Sequence, residues 1–146
     1  MRPYKVYRIE EGTVIDHITH GKALDVIKIL GIPKDGMVSI GMNFDSGKYG
    51  KKDIVKIEKR ELTVQESAKI ALIAPTATVN IIRGGECMQK IKLSIPEHIE
   101  GVARCPNPQC ITNHEDAVTK FSLQRQEPLA LRCAYCERDA EQVELL

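Results

Sequence analysis

The 146-residue sequence has no tryptophan, only two phenylalanines and four tyrosines, and a formal net charge of only +1. So few aromatics leave little surface for stacking bases, and near-neutrality gives no global field for a phosphate backbone, which argues against nucleic-acid binding. No run approaches the ~20 apolar residues that span a bilayer, and Met1-Arg2-Pro3-Tyr4 leads into a charged segment without an apolar signal core. A cytoplasmic protein with no membrane partner is expected. A catalytic centre is also missing: Asp16-His17, with His20 nearby, has no second carboxylate, activated serine or activated cysteine near it in sequence. The bland reading of that pair is a helix entry whose polar side chains satisfy free N–H groups. Gly41, Gly47 and Lys48 superficially suggest a phosphate-binding loop, but the spacing is one residue too long, Tyr49 replaces the magnesium-binding hydroxyl and no helix follows.

What is present is a cysteine pattern. Cys105-x4-Cys110 and Cys133-x2-Cys136, separated by twenty-two residues, have the spacing of a four-thiolate zinc site. Such a site is closed to water and substrate, so one structural Zn2+ is expected. Four thiolates around zinc carry a formal excess of negative charge, which Arg104, Arg132 and Arg138 flank closely enough to offset. His114 is the competing nitrogen ligand, displaced by four sulfurs at workable spacings. The fifth cysteine, Cys87, has no base beside it and reads as a small hydrophobic side chain in a strand.

The remaining pattern alternates strand and helix. Strands are expected over Tyr4 to Glu10, Thr13 to Ile18, Val38 to Asn43 and Ile54 to Glu58, with a polar loop from Asp45 to Asp53. Ala23, Leu24, Ile27 and Leu30 recur at helical spacing before Gly31 and Pro33. Thr63-x-x-Glu66 is a capping box for a second helix that stops at Pro75. Ala77 to Arg83 and Glu86 to Leu93 form a hairpin about Gly84-Gly85. The order fits an α+β protein: a ferredoxin-like N-terminal domain, an antiparallel sheet with two helices on one face, followed by a small zinc-bound β-rich domain. The boundary falls in the Pro- and Gly-bearing stretch from Ser94 to Gly101, giving domains 1–97 and 98–146. A C-terminal domain that small needs the metal to fold.

Lys48, Lys51, Lys52 and Lys56, with Lys90 and Lys92, form the basic cluster of the chain. Alternation places Lys56 on the face opposite Val55 and Ile57, and Lys90 and Lys92 opposite Ile91 and Leu93. If these strands share a sheet, the lysines could converge on a polyphosphate; the bland alternative is a solvated face.

Several segments together resemble the aspartate carbamoyltransferase regulatory chain. They are Gly12-Thr13-Val14-Ile15-Asp16-His17-Ile18, Ser39-Ile40-Gly41-Met42-Asn43, Lys51-Lys52-Asp53-Ile54-Val55-Lys56-Ile57-Glu58, Ala74-Pro75, Ala77-Thr78-Val79-Asn80, Pro96-Glu97, Cys105-Pro106-Asn107, Cys110-Ile111 and Cys133-x-Tyr135-Cys136-Glu137. The resemblance implies a noncatalytic, allosteric subunit of pyrimidine biosynthesis that takes CTP and ATP as effectors and pairs as a homodimer. It implies that the zinc domain contacts the catalytic chain, with Asn107 and Glu137 beside the ligands at the contact. It further implies that Asp16 and Lys56 meet ribose and that His17 and Lys90 meet phosphates. Groups around Arg8, Ile9, Asn80, Ile82 and Gly85 would recognise the base, and Lys52 would support the site. A nucleic-acid-binding zinc ribbon is the alternative from another class.

Overall fold

The computed structural model describes residues 9–47 and 50–146. The chain divides into two compact units, the first ending at Leu93 and the second spanning Ser94–Leu146.

In the first unit the elements run β1 (Gly12–Thr19), α1 (Ala23–Leu30), β2 (Val38–Ser46), β3 (Gly50–Glu58), α2 (Val64–Ile73), β4 (Thr78–Arg83) and β5 (Glu86–Lys92). Among the described residues they form one sheet in the order β2-β3-β1-β4-β5, antiparallel at every pairing. The first four strands have the ferredoxin-like order, and β5 extends it through a two-glycine turn in which Gly84 and Gly85 both have positive φ, 60° and 77°. The expected strand over Tyr4 to Glu10 lies outside the described residues up to Arg8; Ile9 and Glu10 are not in a strand.

Alternation sorts the sheet into two faces. Thr13, Ile15, Val55, Ile57 and Val79 are buried, together with Ala23, Val26 and Leu30 of α1 and Ala68, Ile70 and Ala71 of α2. The apolar stripe of α1 is thus centred on Val26, and Leu24, expected on it, is 55% exposed. The capping box of α2 is formed: Glu66 N–H donates to Thr63 Oγ1 at 3.1 Å and Thr63 N–H to Glu66 Oε1 at 3.0 Å. The second Glu66 oxygen takes an Arg60 N–H, and Arg60 also donates to the Leu30 carbonyl, tying the two helix ends together.

The polar stretch Asp45 to Asp53, expected as a loop, is mostly strand. Phe44 pairs with Lys52, Asp45 with Lys51 and Ser46 with Gly50. Polar residues suit this hairpin because Asp45 and Lys51 are exposed and opposite charges face each other across it: Lys51 Nζ is 2.6 Å from Asp45 Oδ1. Asp53 is fully buried at 0% exposure. Its carboxylate accepts Gly21 N–H at 2.9 Å, Ala23 N–H at 3.1 Å and Asn43 N–H at 3.1 Å. The start of α1 is therefore satisfied by a residue thirty positions downstream of it.

The second unit contains β6 (His98–Glu100), β7 (Ala103–Arg104), a 3-10 turn at Ile111–Asn113, β8 (Lys120–Arg125), β9 (Ala130–Cys133), β10 (Asp139–Ala140) and β11 (Glu144–Leu145). They form a sheet β10-β9-β8-β6 and a pair β11-β7. Ile99, Val102, Phe121 and Leu131 give it a core of few large side chains.

Candidate functional site

Directly opposed residues of antiparallel strands share a face, so the register assembles a row across all five strands. Ser39 opposes Lys56, Lys56 opposes Val14, Val14 opposes Asn80 and Asn80 opposes Lys90. The face is the one turned away from the buried set. One step along the strands in one direction Asp16 opposes Thr78 and Thr78 opposes Lys92; one step in the other, Gly12 lies between Glu58 and Ile82. Lys56, Asn80 and Lys90 thus fall in one line, with Asp16 and Ile82 on the same face to either side.

The Asp16-His17 pair is not at a helix entry. It sits inside β1, where the register with β3 jumps between Ile15 and Ile18. His17 takes φ 56° in this bulge, its N–H donates to Asp16 Oδ1 at 2.7 Å, and Thr76 Oγ1 donates to its carbonyl at 2.8 Å. The bulge turns the imidazole so that Nδ1 meets Thr78 Oγ1 at 3.2 Å. Lys52 Nζ closes on Asp16 Oδ1 at 3.0 Å. A carboxylate, an imidazole and an ammonium are therefore grouped at one end of the row.

At the other end, Gly85 N–H donates to the Glu10 carbonyl at 2.9 Å, beside buried Ile9, while Ile82 is half-buried opposite Gly12. Arg8 lies outside the described residues. Sequence reasoning missed Thr78 and Thr76, which orient His17, and Asp53, which holds the turn after β1, the start of α1 and the β2 bulge; no local pattern marks residues whose partners are remote. Cys87 is in β5 as expected, but exposed on an edge strand, its Sγ 3.8 Å from Asn80 Oδ1.

In the second unit the four Sγ atoms of Cys105, Cys110, Cys133 and Cys136 all lie within 4.8 Å of one another. Cys105–Cys136 and Cys110–Cys133 are each 3.7 Å apart. A tetrahedron with Zn–S of ~2.3 Å has edges of ~3.8 Å, so the spacing fits zinc and is far too long for a disulfide at ~2.05 Å. Without metal, burial pushes the Cys105 thiol up to about 12. Burial also opposes ionisation at Cys136, but a side-chain hydrogen bond from Asn107 and the backbone of Arg138 outweigh it and bring that thiol down to about 7. The four do not ionise together near neutrality; a divalent cation would collect them as thiolates.

Two of the three flanking arginines also meet carboxylates. Arg132 Nε is bound to Asp139 at 2.7 Å and Arg104 faces Glu144 at 3.6 Å. Sulfur itself meets nearby donors: the Thr112 hydroxyl and backbone lower Cys110, whose burial alone would raise it. His114 is not in the shell, its Nε2 lying 2.7 Å from the Pro108 carbonyl. Asn107 is engaged locally, accepting Gln109 N–H on Oδ1 at 3.1 Å as well as serving Cys136.

Comparison with known proteins accounts for both units. Residues 4–94 match the family model "Aspartate carbamoyltransferase regulatory chain, allosteric domain", and residues 97–146 match "Aspartate carbamoyltransferase regulatory chain, metal binding domain". Curated relatives named aspartate carbamoyltransferase regulatory chain include one from Pyrococcus abyssi, 54% identical over 100% of this chain and 98% of its own length. Another, from Methanocaldococcus jannaschii, is 50% identical over 98% of this chain and 96% of its own. With both halves matched in order and relatives covered almost end to end, the chain belongs to the aspartate carbamoyltransferase regulatory chain family.

Proposed function

We propose that the first domain, residues 1–97, binds CTP or ATP on the uncovered sheet face, and that the second, residues 98–146, docks on the aspartate carbamoyltransferase catalytic chain. The cross-strand row carries this reading: Lys56, Asn80 and Lys90 are in register on one face, with Asp16, His17 and Lys52 grouped beside them. Lys56 and Lys90 are three strand spacings apart, ~14 Å, a span suited to an extended nucleoside triphosphate. Asp16 and Lys56 hold the ribose, His17 and Lys90 the phosphates, and Ile9, Ile82 and Gly85, with Arg8 and Asn80, the base.

The chain supplies regulation rather than catalysis. Zinc, when bound by Cys105, Cys110, Cys133 and Cys136, supplies folding energy to the docking domain. Exposed Ile111, Val118 and Tyr135 in that unit offer apolar contact area. In the first unit Ile40, Met42 and Phe44 of edge strand β2 are also exposed, at 40%, 41% and 37%, and a second copy of the chain is the partner that would cover them.

Regulation requires the nucleotide to prefer one quaternary state by a coupling of ~1–3 kcal/mol, and the coupling is reciprocal. Calorimetric titration of the holoenzyme with CTP and with ATP, repeated in the presence of a bisubstrate analogue, tests the reading. Competing binding whose affinity changes with the analogue is expected; absence of nucleotide binding overturns it.

A further inference from the structure

One step of two residues along the strands from Lys56, Asn80 and Lys90, about 7 Å, the register sets a second row on the same face. Asp16 opposes Thr78, and Thr78 opposes Lys92 on edge strand β5. Thr78 is the middle rung: its hydroxyl meets His17 Nδ1 at 3.2 Å, and its backbone pairs with Lys92 on the other side. The cations at this end of the face are not equivalent. Lys52 Nζ is committed to Asp16 at 3.0 Å. Lys92 is exposed, and among the described residues no carboxylate pairs with it. Of these two ammonium groups, Lys92 is the one whose charge is not already balanced. The nucleotide site assigned above uses Lys90 and gives Lys92 no task, although strand alternation turns both to the same side.

We propose that Lys92 holds the terminal phosphate of the effector, so that the site distinguishes nucleoside triphosphates from diphosphates; the inference rests on the nucleotide reading above. Along the strands the order is Ile82 and Gly85 at the end assigned to the base, then Asn80 and Lys90, then Thr78 and Lys92. Lys92 therefore stands one rung beyond Lys90, on the side away from the base, where a phosphate chain that has passed Lys90 ends. His17, fixed on the Thr78 hydroxyl, stands on the other side of that rung. An ammonium suits the position: it is a compact charge with three donors on a flexible stem, and a terminal phosphate presents several strong acceptor oxygens. A diphosphate stops at Lys90 and leaves Lys92 in water. Lys90 and Lys92, about 7 Å apart on one strand face, thus act as successive marks against which phosphate-chain length is read.

The test is calorimetric titration of the assembled holoenzyme with CTP, CDP, ATP and ADP at about 0.15 M salt, where exposed charges more than about 8 Å apart are largely screened. Each triphosphate is expected to bind about tenfold or more tightly than its diphosphate, the effect of one charge-assisted contact. Lys92→Gln should weaken CTP and ATP about tenfold while leaving CDP and ADP within about twofold, so that the preference collapses. Lys92→Gln weakening triphosphates and diphosphates alike, or weakening neither, overturns the inference and leaves the nucleotide site standing. So does an unaltered holoenzyme that binds diphosphates as tightly as triphosphates. Binding of none of the four overturns both.

Discussion

The Lys52 ammonium lies 3.0 Å from the Asp16 carboxylate, with both side chains less than one quarter exposed, at 18% and 23%. Asp16 in turn accepts the His17 backbone N–H, so one cation steadies a carboxylate that steadies a bulge. Lys52→Ala removes a charge near a polyanion and loosens His17 together. Nucleotide affinity should fall about tenfold or more in calorimetry of the holoenzyme, since a charge-assisted hydrogen bond contributes about 1.5–3 kcal/mol. Lys52→Gln falling by less than twofold would remove Lys52 from the site.

Asp53 is a stability residue. Its carboxylate, itself fully buried, serves three backbone N–H groups: Gly21 in the turn after β1, Ala23 at the start of α1 and Asn43 at the β2 bulge. Asp53→Ala strands the buried Ala23 donor and frees two partly exposed ones, and a buried unsatisfied donor costs about 1–3 kcal/mol. Denaturant unfolding of the zinc-loaded chain should show a loss of about 1–3 kcal/mol in the N-terminal transition, because the start of α1 loses its side-chain acceptor.

Removing zinc should unfold the second unit and spare the first. Structural zinc is worth about 10–16 kcal/mol in apparent terms at neutral pH, which a core this small cannot replace. Cys105→Ser, or chelation, should abolish amide protection in 94–146 and release the catalytic chain, while nucleotide titration of the remaining chain is little changed. Retained assembly after verified metal loss would contradict the docking role.

The Lys51 ammonium, hydrogen-bonded to Asp45, holds its carboxyl below the usual value of 3.8. A lowered folded-state value means the contact is fully stabilising above 3.8 and is lost as pH falls through the folded-state midpoint. NMR titration should place the Asp45 midpoint below 3.8, and Lys51→Ala should return it to that value.

Sequence marked what is settled by neighbours. The cysteine spacings, the Thr63–Glu66 box and the Gly84-Gly85 turn each contain their own physical cause, and strand alternation placed Lys56 and Lys90 on the uncovered faces of β3 and β5. It misjudged what is settled at a distance. The stretch 45–53 looked like a loop because the pairing of Asp45 with Lys51 makes polar residues acceptable in an exposed hairpin, and Asp16-His17 looked like a helix entry because Asp53, thirty residues away, performs that task for Ala23. The arginines near the cysteines suggested support for the metal; carboxylates from the following strands also meet Arg104 and Arg132.

The row from Ser39 to Lys90 draws one side chain from each of five strands. Along the chain those residues are scattered between positions 14 and 90; across the sheet they are successive rungs. A ligand lying along it would act as a transverse strut, perpendicular to every strand and bonded to segments that lie far apart in the chain. Slippage or fraying of a single strand would then break ligand contacts as well as its own ladder, so occupancy would make the sheet respond to force as one plate rather than as five separable ribbons.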